Sequence, residues 1–257
     1  MRILALGDVF GEVGRRILKE RLSELEKEYQ IDLVIANVEN VTNGRGISFK
    51  HYEKLKKIGI KVMTTGNHIF DQKETISFIK QTPDLLRPLN SNPFHPGNGT
   101  IVITIKTKKI RITNLLGTVF INPPGENPYF ILEKLISNDN SDIHLVDFHA
   151  QSTAEKKALA ICFDGRISAL WGTHTHVQTA DEEIMPRGTA FISDIGMTGP
   201  SEGVIGADPE VIIKRSRQGF PERITPFLGK GQINGIVLEI DETNNKVTTI
   251  KRILIRE

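Results

Sequence analysis

The sequence predicts an α/β fold of mixed, mostly parallel sheets with helices outside them. Three observations carry that expectation. Short apolar runs recur along the chain, bounded by Gly, Asn or Asp, as strands buried on both faces are. Stretches of helical periodicity separate the first three runs, so the opening reads β-α-β-α-β-α and implies right-handed crossovers. Each of those runs ends in polar side chains rather than in the glycines of a dinucleotide loop.

In order, residues 3–6 read as the first strand, with Asp8 just beyond them. From 14 to 28, Ile17, Leu18, Leu22 and Leu25 fall on one face of a helix. Residues 31–36 are the second strand and run out into Glu39 and Asn40. A loop at 42–46 leads to a helix over 49–58, and 60–64 is a third strand ending in Gly66, Asn67 and His68. Asp71 and Glu74 have the spacing of a capping box for a helix running to 80. Residues 86–93 form a proline-rich loop, and 100–105 with 110–114 read as a hairpin. The Pro/Gly/Asn-rich loop 118–128 is long enough to be functional. A helix over 129–136 and a strand over 142–148, ending in His149, follow. Ser152 and Glu155 form a second capping-box pattern, opening a helix to Phe163. Residues 167–171 are a strand leading to His174 and His176, and 188–193 another that runs out into 194–200, with a loop over 196–203 as a candidate for shaping the pocket. Asp208 and Pro209 suit the N-cap and first position of a helix. Strands over 233–240 and 247–255 close the chain. No boundary divides it, so a single domain over 1–257 is expected.

With 39% hydrophobic and 25% charged residues the composition is that of an ordinary globular domain. A net charge of +2 is too small to argue for a nucleic-acid groove and leaves anionic substrates open. The lone Cys162 permits no internal disulfide, which suits the cytoplasm, and its place at the end of an apolar helical run reads as core. The first apolar run is too short for a signal peptide, and none approaches the ~20 apolar residues of a membrane span.

His174 and His176 stand two apart, a spacing that turns both imidazoles to one side of an extended segment. The pattern is common alone. Its weight comes from company: Asp8, Glu39, Asn40, Asn67, His68, His149, His174 and His176 all follow strand-like runs, whose ends converge on one edge of a parallel sheet. Oxygen and nitrogen donors without thiolate suit Fe, Mn, Mg or Zn. They are too many for one tetrahedral zinc and suit two divalent or Fe-type metal ions about 3.5–4 Å apart with a bridging carboxylate. Because neighbours on a strand point opposite ways, Glu39 and Asn40 can both reach metal only if the backbone turns. Asn67 and His68 then divide the work, one toward metal and one toward substrate. Singly, each residue has an ordinary structural reading, such as Asp8 as an N-cap. Jointly those readings need eight coincidences at strand ends. His51, His95 and His144 lie outside the pattern, while Asp71, Asp147 and Asp194 could support it.

The ordered set Gly7-Asp8, Asn40, Gly66-Asn67-His68, His149 and Gly172-Thr173-His174-Thr175-His176 resembles the calcineurin-like metallophosphoesterases. The whole chain, including 194–200, is similar to their YmdB-type bacterial subgroup. The resemblance implies a layered αββα sandwich and a 2′,3′-cyclic-nucleotide 2′-phosphodiesterase. Two departures from the wider superfamily, Phe10 where it has a histidine and Glu39 with Asn40 adjacent, match the subgroup. Carried over by position, Asp8, Glu39, Asn40 and His176 would hold one metal. Glu39, Asn67, His149 and His174 would hold the second, with Glu39 bridging. His68 would be catalytic, facing the phosphate and protonating the leaving oxygen. The implied partners are cyclic nucleotides or other phosphodiesters, RNA ends among them, and further copies of the chain in a homo-oligomer (dimer or tetramer). A phosphomonoesterase or nuclease, and a nucleotide-binding regulatory protein with little turnover, are the competing readings; the intact His68 argues against the last.

Overall fold

Alternation along the apolar runs settles how the layers stack. In the computed structural model, which describes residues 1–257, the chain opens with β1 (Arg2–Leu6), β2 (Asp8–Val9), α1 (Gly11–Glu28), β3 (Leu33–Asn37), α2 (Phe49–Lys57), β4 (Val62–Thr64) and α3 (Thr75–Phe78). The hairpin β5 (Thr100–Ile105) and β6 (Lys108–Leu116), α4 (Pro128–Ile136), β7 (Ile143–His149), α5 (Thr153–Cys162) and β8 (Ala169–Thr173) follow. The last third holds β9 (Glu183–Ile184), β10 (Ala190–Ile192), β11 (Met197–Pro200), α6 (Pro209–Gln218), β12 (Gly231–Asp241) and β13 (Lys246–Arg256).

One sheet runs β2-β11-β12-β1-β3-β4, with β13 also on β12; the other runs β5-β6-β7-β8-β10-β9. Ile3 and Ala5 of β1 turn inward with Leu33 and Ile35 of β3, against Ile112, Leu145, Ala169 and Trp171 of the second sheet. Leu4 and Leu6 turn outward and meet Ile17, Leu18, Leu22 and Leu25 of α1. Val146, Phe148 and Leu170 likewise meet Leu132 of α4 and Leu159 of α5. The result is the four-layered αββα arrangement. Each such buried aliphatic contributes about 1.5–3 kcal/mol over its exposed state.

Both sheets are mixed. β1, β3 and β4 run parallel, as do β6, β7, β8 and β10. β12 enters the first sheet antiparallel to both β1 and β11. Residues 197–200, expected as loop, are strand β11, parallel to β2 and antiparallel to β12. Their Gly-Pro ending reads as a turn, but partners on both sides fix them as strand. The capping box expected at Asp71 and Glu74 does not form: α3 starts at Thr75, without a side-chain cap, and passes into a 3-10 turn over Ile79–Gln81. Ser152 does cap α5, accepting from the Glu155 backbone N–H at 3.3 Å. Cys162, expected in the core, is exposed at the end of α5, while Leu159, Ala160 and Phe163 take the inward face. α6 is capped as expected by Asp208 and ends at a left-handed Gly219, yet none of its residues is buried. No helix is long and apolar enough to cross a membrane.

Candidate metal centre

The C-terminal strand ends of the two sheets meet at one edge and bring the polar residues together. Asp8 lies two residues past β1, at the start of β2, Glu39 and Asn40 follow β3, and Asn67 and His68 follow β4. From the second sheet, His149 ends β7 and His174 follows β8. Ligand atoms of Glu39, His149 and His174 all lie within 4.8 Å of one another. His149 Nε2 is 3.1 Å from Glu39 Oε1 and 3.1 Å from His174 Nδ1. Asp8 Oδ1 lies 3.8 Å from His149 Nδ1, and Asp8 Oδ2 accepts the His174 backbone N–H at 3.1 Å. On the other side His176 Nε2 lies 3.2 Å from Asn40 Oδ1. Asn67 Nδ2 donates to the Asn122 carbonyl at 3.3 Å.

His174 and His176 do not share an extended segment. Both have left-handed backbones, with φ of 99° and 64°, so a turn sends His174 to the Glu39 side and His176 to the Asn40 side. Such conformations cost about 1–3 kcal/mol each and persist where the surroundings impose them. A buried ion pair imposes this one. Lys156 Nζ donates to Asp194 Oδ2 at 2.8 Å and to the Thr173 carbonyl at 2.9 Å, and Asp194 accepts the Thr175 N–H at 3.2 Å. Sequence reasoning weighed Asp194 but missed Lys156. The signal was there: positions 156, 159, 160 and 163 make one helical face, apolar apart from the lysine.

The hydrogen bonds decide which ring nitrogens face inward. Thr173 Oγ1 donates to Asp147 at 2.7 Å, so at 2.9 Å it accepts from His149 Nδ1–H, leaving Nε2 bare toward Glu39. Asp147 is itself held by Thr64 and by Asn37 Nδ2. His176 Nδ1–H donates to the Ile205 carbonyl at 2.8 Å, leaving its Nε2 facing the amide oxygen of Asn40. Acceptor therefore faces acceptor at both places, an arrangement that needs positive charge between. Asp8 Oδ1 and Asn67 Oδ1 are buried with no hydrogen-bond partner, which costs about 1–3 kcal/mol per atom unless a cation satisfies them. The donor set thus fits hard or borderline divalent cations.

Protonation follows the same logic. Burial pushes the Asp8 carboxyl up to about 6 against the pull of His176 and His149. Burial and the neighbouring His149 push the His174 imidazole down to about 3. Burial opposes charge on Glu39 and His149 alike, yet their contact outweighs it, lowering the carboxyl and raising the imidazole. The cluster takes a proton where it lacks another positive charge.

His68 stands apart from these contacts. Its backbone N–H donates to Glu39 Oε2 at 3.0 Å, and its Nδ1 lies 2.9 Å from Asp71 Oδ2. Asp71 is thus engaged by His68 instead of capping α3. The His68 ring lines a cavity of about 330 Å³ together with Glu39, Asn40, His174 and His176, opposite an apolar wall of Phe10, Ile205, Ile224 and Pro226. Gly66 is essential to this packing, because a Cβ there would overlap both the His149 ring and Glu39 Oε2. A second cavity of about 360 Å³ beside Asp139 and His144 lies at the other end of β7 and β8, away from these residues.

A family model described as YmdB-like protein matches residues 4–253. The chain belongs to this family. It is 42% identical over 259 residues to the 2′,3′-cyclic-nucleotide 2′-phosphodiesterase of Bacillus subtilis, covering 100% of this chain and 98% of that protein. It superposes on the crystal structure of a novel phosphatase from Mycoplasma pneumoniae with a TM-score of 0.96, at 44% identity, over 100% of this chain and 93% of that one. The NAD nucleotidase of Haemophilus influenzae shares the fold alone, with a TM-score of 0.58 at 11% identity, over 100% of this chain and 56% of that one.

Proposed function

We propose that this family member is a metal-dependent phosphodiesterase that opens 2′,3′-cyclic nucleotides, with 3′,5′-cyclic nucleotides as further candidate substrates. The observation that carries the reading is the set of bare acceptors at the strand ends: the buried, unpartnered oxygens of Asp8 and Asn67 and the cluster of Glu39, His149 and His174, with Glu39 and His174 lining a cavity that also holds His68. Asp8, Glu39, Asn40 and His176 would hold one ion, and Glu39, Asn67, His149 and His174 the other. Bound there, two ions of the Fe, Mn, Mg or Zn kind would supply Lewis acidity and lower the pKa of a water.

The chain's own residues do the rest. Asp71 accepts from His68 Nδ1–H and fixes the ring, and in its imidazolium form the ring would give its Nε2 proton to the departing 2′ oxygen. The bond from phosphorus to that oxygen breaks, and water ends as one oxygen of a 3′-phosphomonoester. The wall of Phe10, Ile224 and Pro226 offers an apolar face to the base and limits water.

The test is turnover of 2′,3′-cAMP, 3′,5′-cAMP, bis-p-nitrophenyl phosphate and p-nitrophenyl phosphate by metal-stripped and metal-reconstituted protein. The reading expects metal-dependent release of 3′-AMP, and Asp8→Asn inactive. Preference for the monoester would make the protein a phosphomonoesterase. Turnover no greater than that of Asp8→Asn would leave a binding protein.

A further inference from the structure

We propose that the substrate is the end of a short single-stranded RNA carrying a 2′,3′-cyclic phosphate, with phosphates upstream of that end seated along Arg45, Arg223 and Arg215. The proposal rests on the catalytic reading above and extends it from mononucleotide to polymer.

The catalytic cavity opens into a larger one. The space of about 330 Å³ over His68 shares Asn43, Arg45, Ile224 and Pro226 with a neighbouring groove of about 950 Å³. A single nucleotide leaves that groove unfilled. Its floor is the 42–45 turn and Gln72, and its far wall is the segment around α6, which carries Arg215 and Arg223.

The charges in the groove are unequally engaged. Glu222 is paired with Lys214, and Asp71 with His68. Arg215 and Arg223 are exposed and have no ion pair. Arg45 is 66% exposed and reaches only Asp71, at 3.7 Å. Three guanidiniums with little to neutralise them line the path leading away from the phosphate-cleaving end. Successive phosphates of one strand meet that condition, and Arg is well shaped for phosphate.

Chemistry narrows the polymer. A 2′,3′-cyclic phosphate needs a 2′-hydroxyl, so the polymer is RNA. It is the terminus left when that hydroxyl attacks the adjacent phosphodiester, so the supplying reaction is transesterifying RNA cleavage. Water then opens the ring, the proton goes to the 2′ oxygen, and a 3′-phosphate end is left with no oxidant or co-reactant required.

The test is kcat/KM for ribonucleotides one to four residues long, each ending in a 2′,3′-cyclic phosphate, between 50 and 200 mM salt. The efficiency should rise with length. For two phosphate contacts on a single strand, the gain should fall about sevenfold over that salt range. Arg215→Glu and Arg223→Glu should each remove most of the gain, lower the salt slope by roughly one unit at most, and leave the mononucleotide rate unchanged. A flat length dependence with normal mononucleotide turnover overturns the groove assignment and spares the catalytic reading. No turnover of either substrate overturns both. Equal loss on mononucleotide in the arginine variants, or equal competition by an acidic peptide of matched charge, also overturns the groove assignment.

Discussion

His68 is held by two bonds, one from its backbone to Glu39 beyond β3 and one from its ring to Asp71 in its own loop. Neither uses the ring nitrogen left for substrate. His68→Ala should therefore retain metal while kcat falls by about 10²–10⁴-fold, read by elemental analysis beside steady-state kinetics; loss of the metal would make His68 a ligand instead. Lys156 acts at a distance from the cavity, as the buried partner of Asp194. Lys156→Met strands that carboxylate and should destabilise the fold by about 3–5 kcal/mol in urea unfolding, whereas a change below ~1 kcal/mol would show the turn at His174 to be self-supporting. The ligand-type side chains were legible in the sequence because polar residues at strand ends stand out against apolar runs. Asn37 was not, because a buried polar residue looks like any surface residue until its partners are known, and Lys156 showed only as the one charge on an otherwise apolar helical face.

The two capping-box patterns show why elements were less legible than residues. Ser152 caps its helix, but Asp71, with the same spacing, is engaged by His68 instead. Local sequence offers the bond, and the tertiary neighbour decides who takes it. In the same way 197–200 reads as a turn by its Gly-Pro and is a strand by its partners. The His-x-His spacing suggested a strand, and the Lys156–Asp194 pair makes it a turn. Between β4 and His68 the critical position is Gly66. Gly66→Ala would push a methyl into His149 and Glu39, so it should abolish metal retention and turnover while circular dichroism stays that of the wild type. An active, metal-loaded Gly66→Ala protein would mean that this edge is looser than described.

At the scale of the whole molecule, the parallel β-α-β opening foretold the layers, and periodicity foretold which faces the helices cover. Strand order was not foretold: nothing local says that β12, last but one in the chain, pairs with β1, the first strand. Net charge was a poor guide for a similar reason. A value of +2 averages over the surface and hides the guanidiniums that the 42–45 turn and α6 bring together. Away from the metal edge, His144 links stability to pH. Burial pushes its imidazole from the ordinary 6.5 down to about 4, despite Asp139 beside it. The unfolded chain takes up this proton first, so the stability His144 contributes is complete above pH 6.5 and is lost as pH falls toward 4. The loss should reach roughly 3 kcal/mol and be largely absent in His144→Asn, measured by urea unfolding across that range.

Anomalous scattering from crystals grown with Mn²⁺ tests the central claim most directly. The account predicts two peaks about 3.5–4 Å apart, on either side of the Glu39 carboxylate, one next to His176 and the other next to His149. No peak at Glu39, or Mn²⁺ bound only elsewhere on the surface, would contradict it.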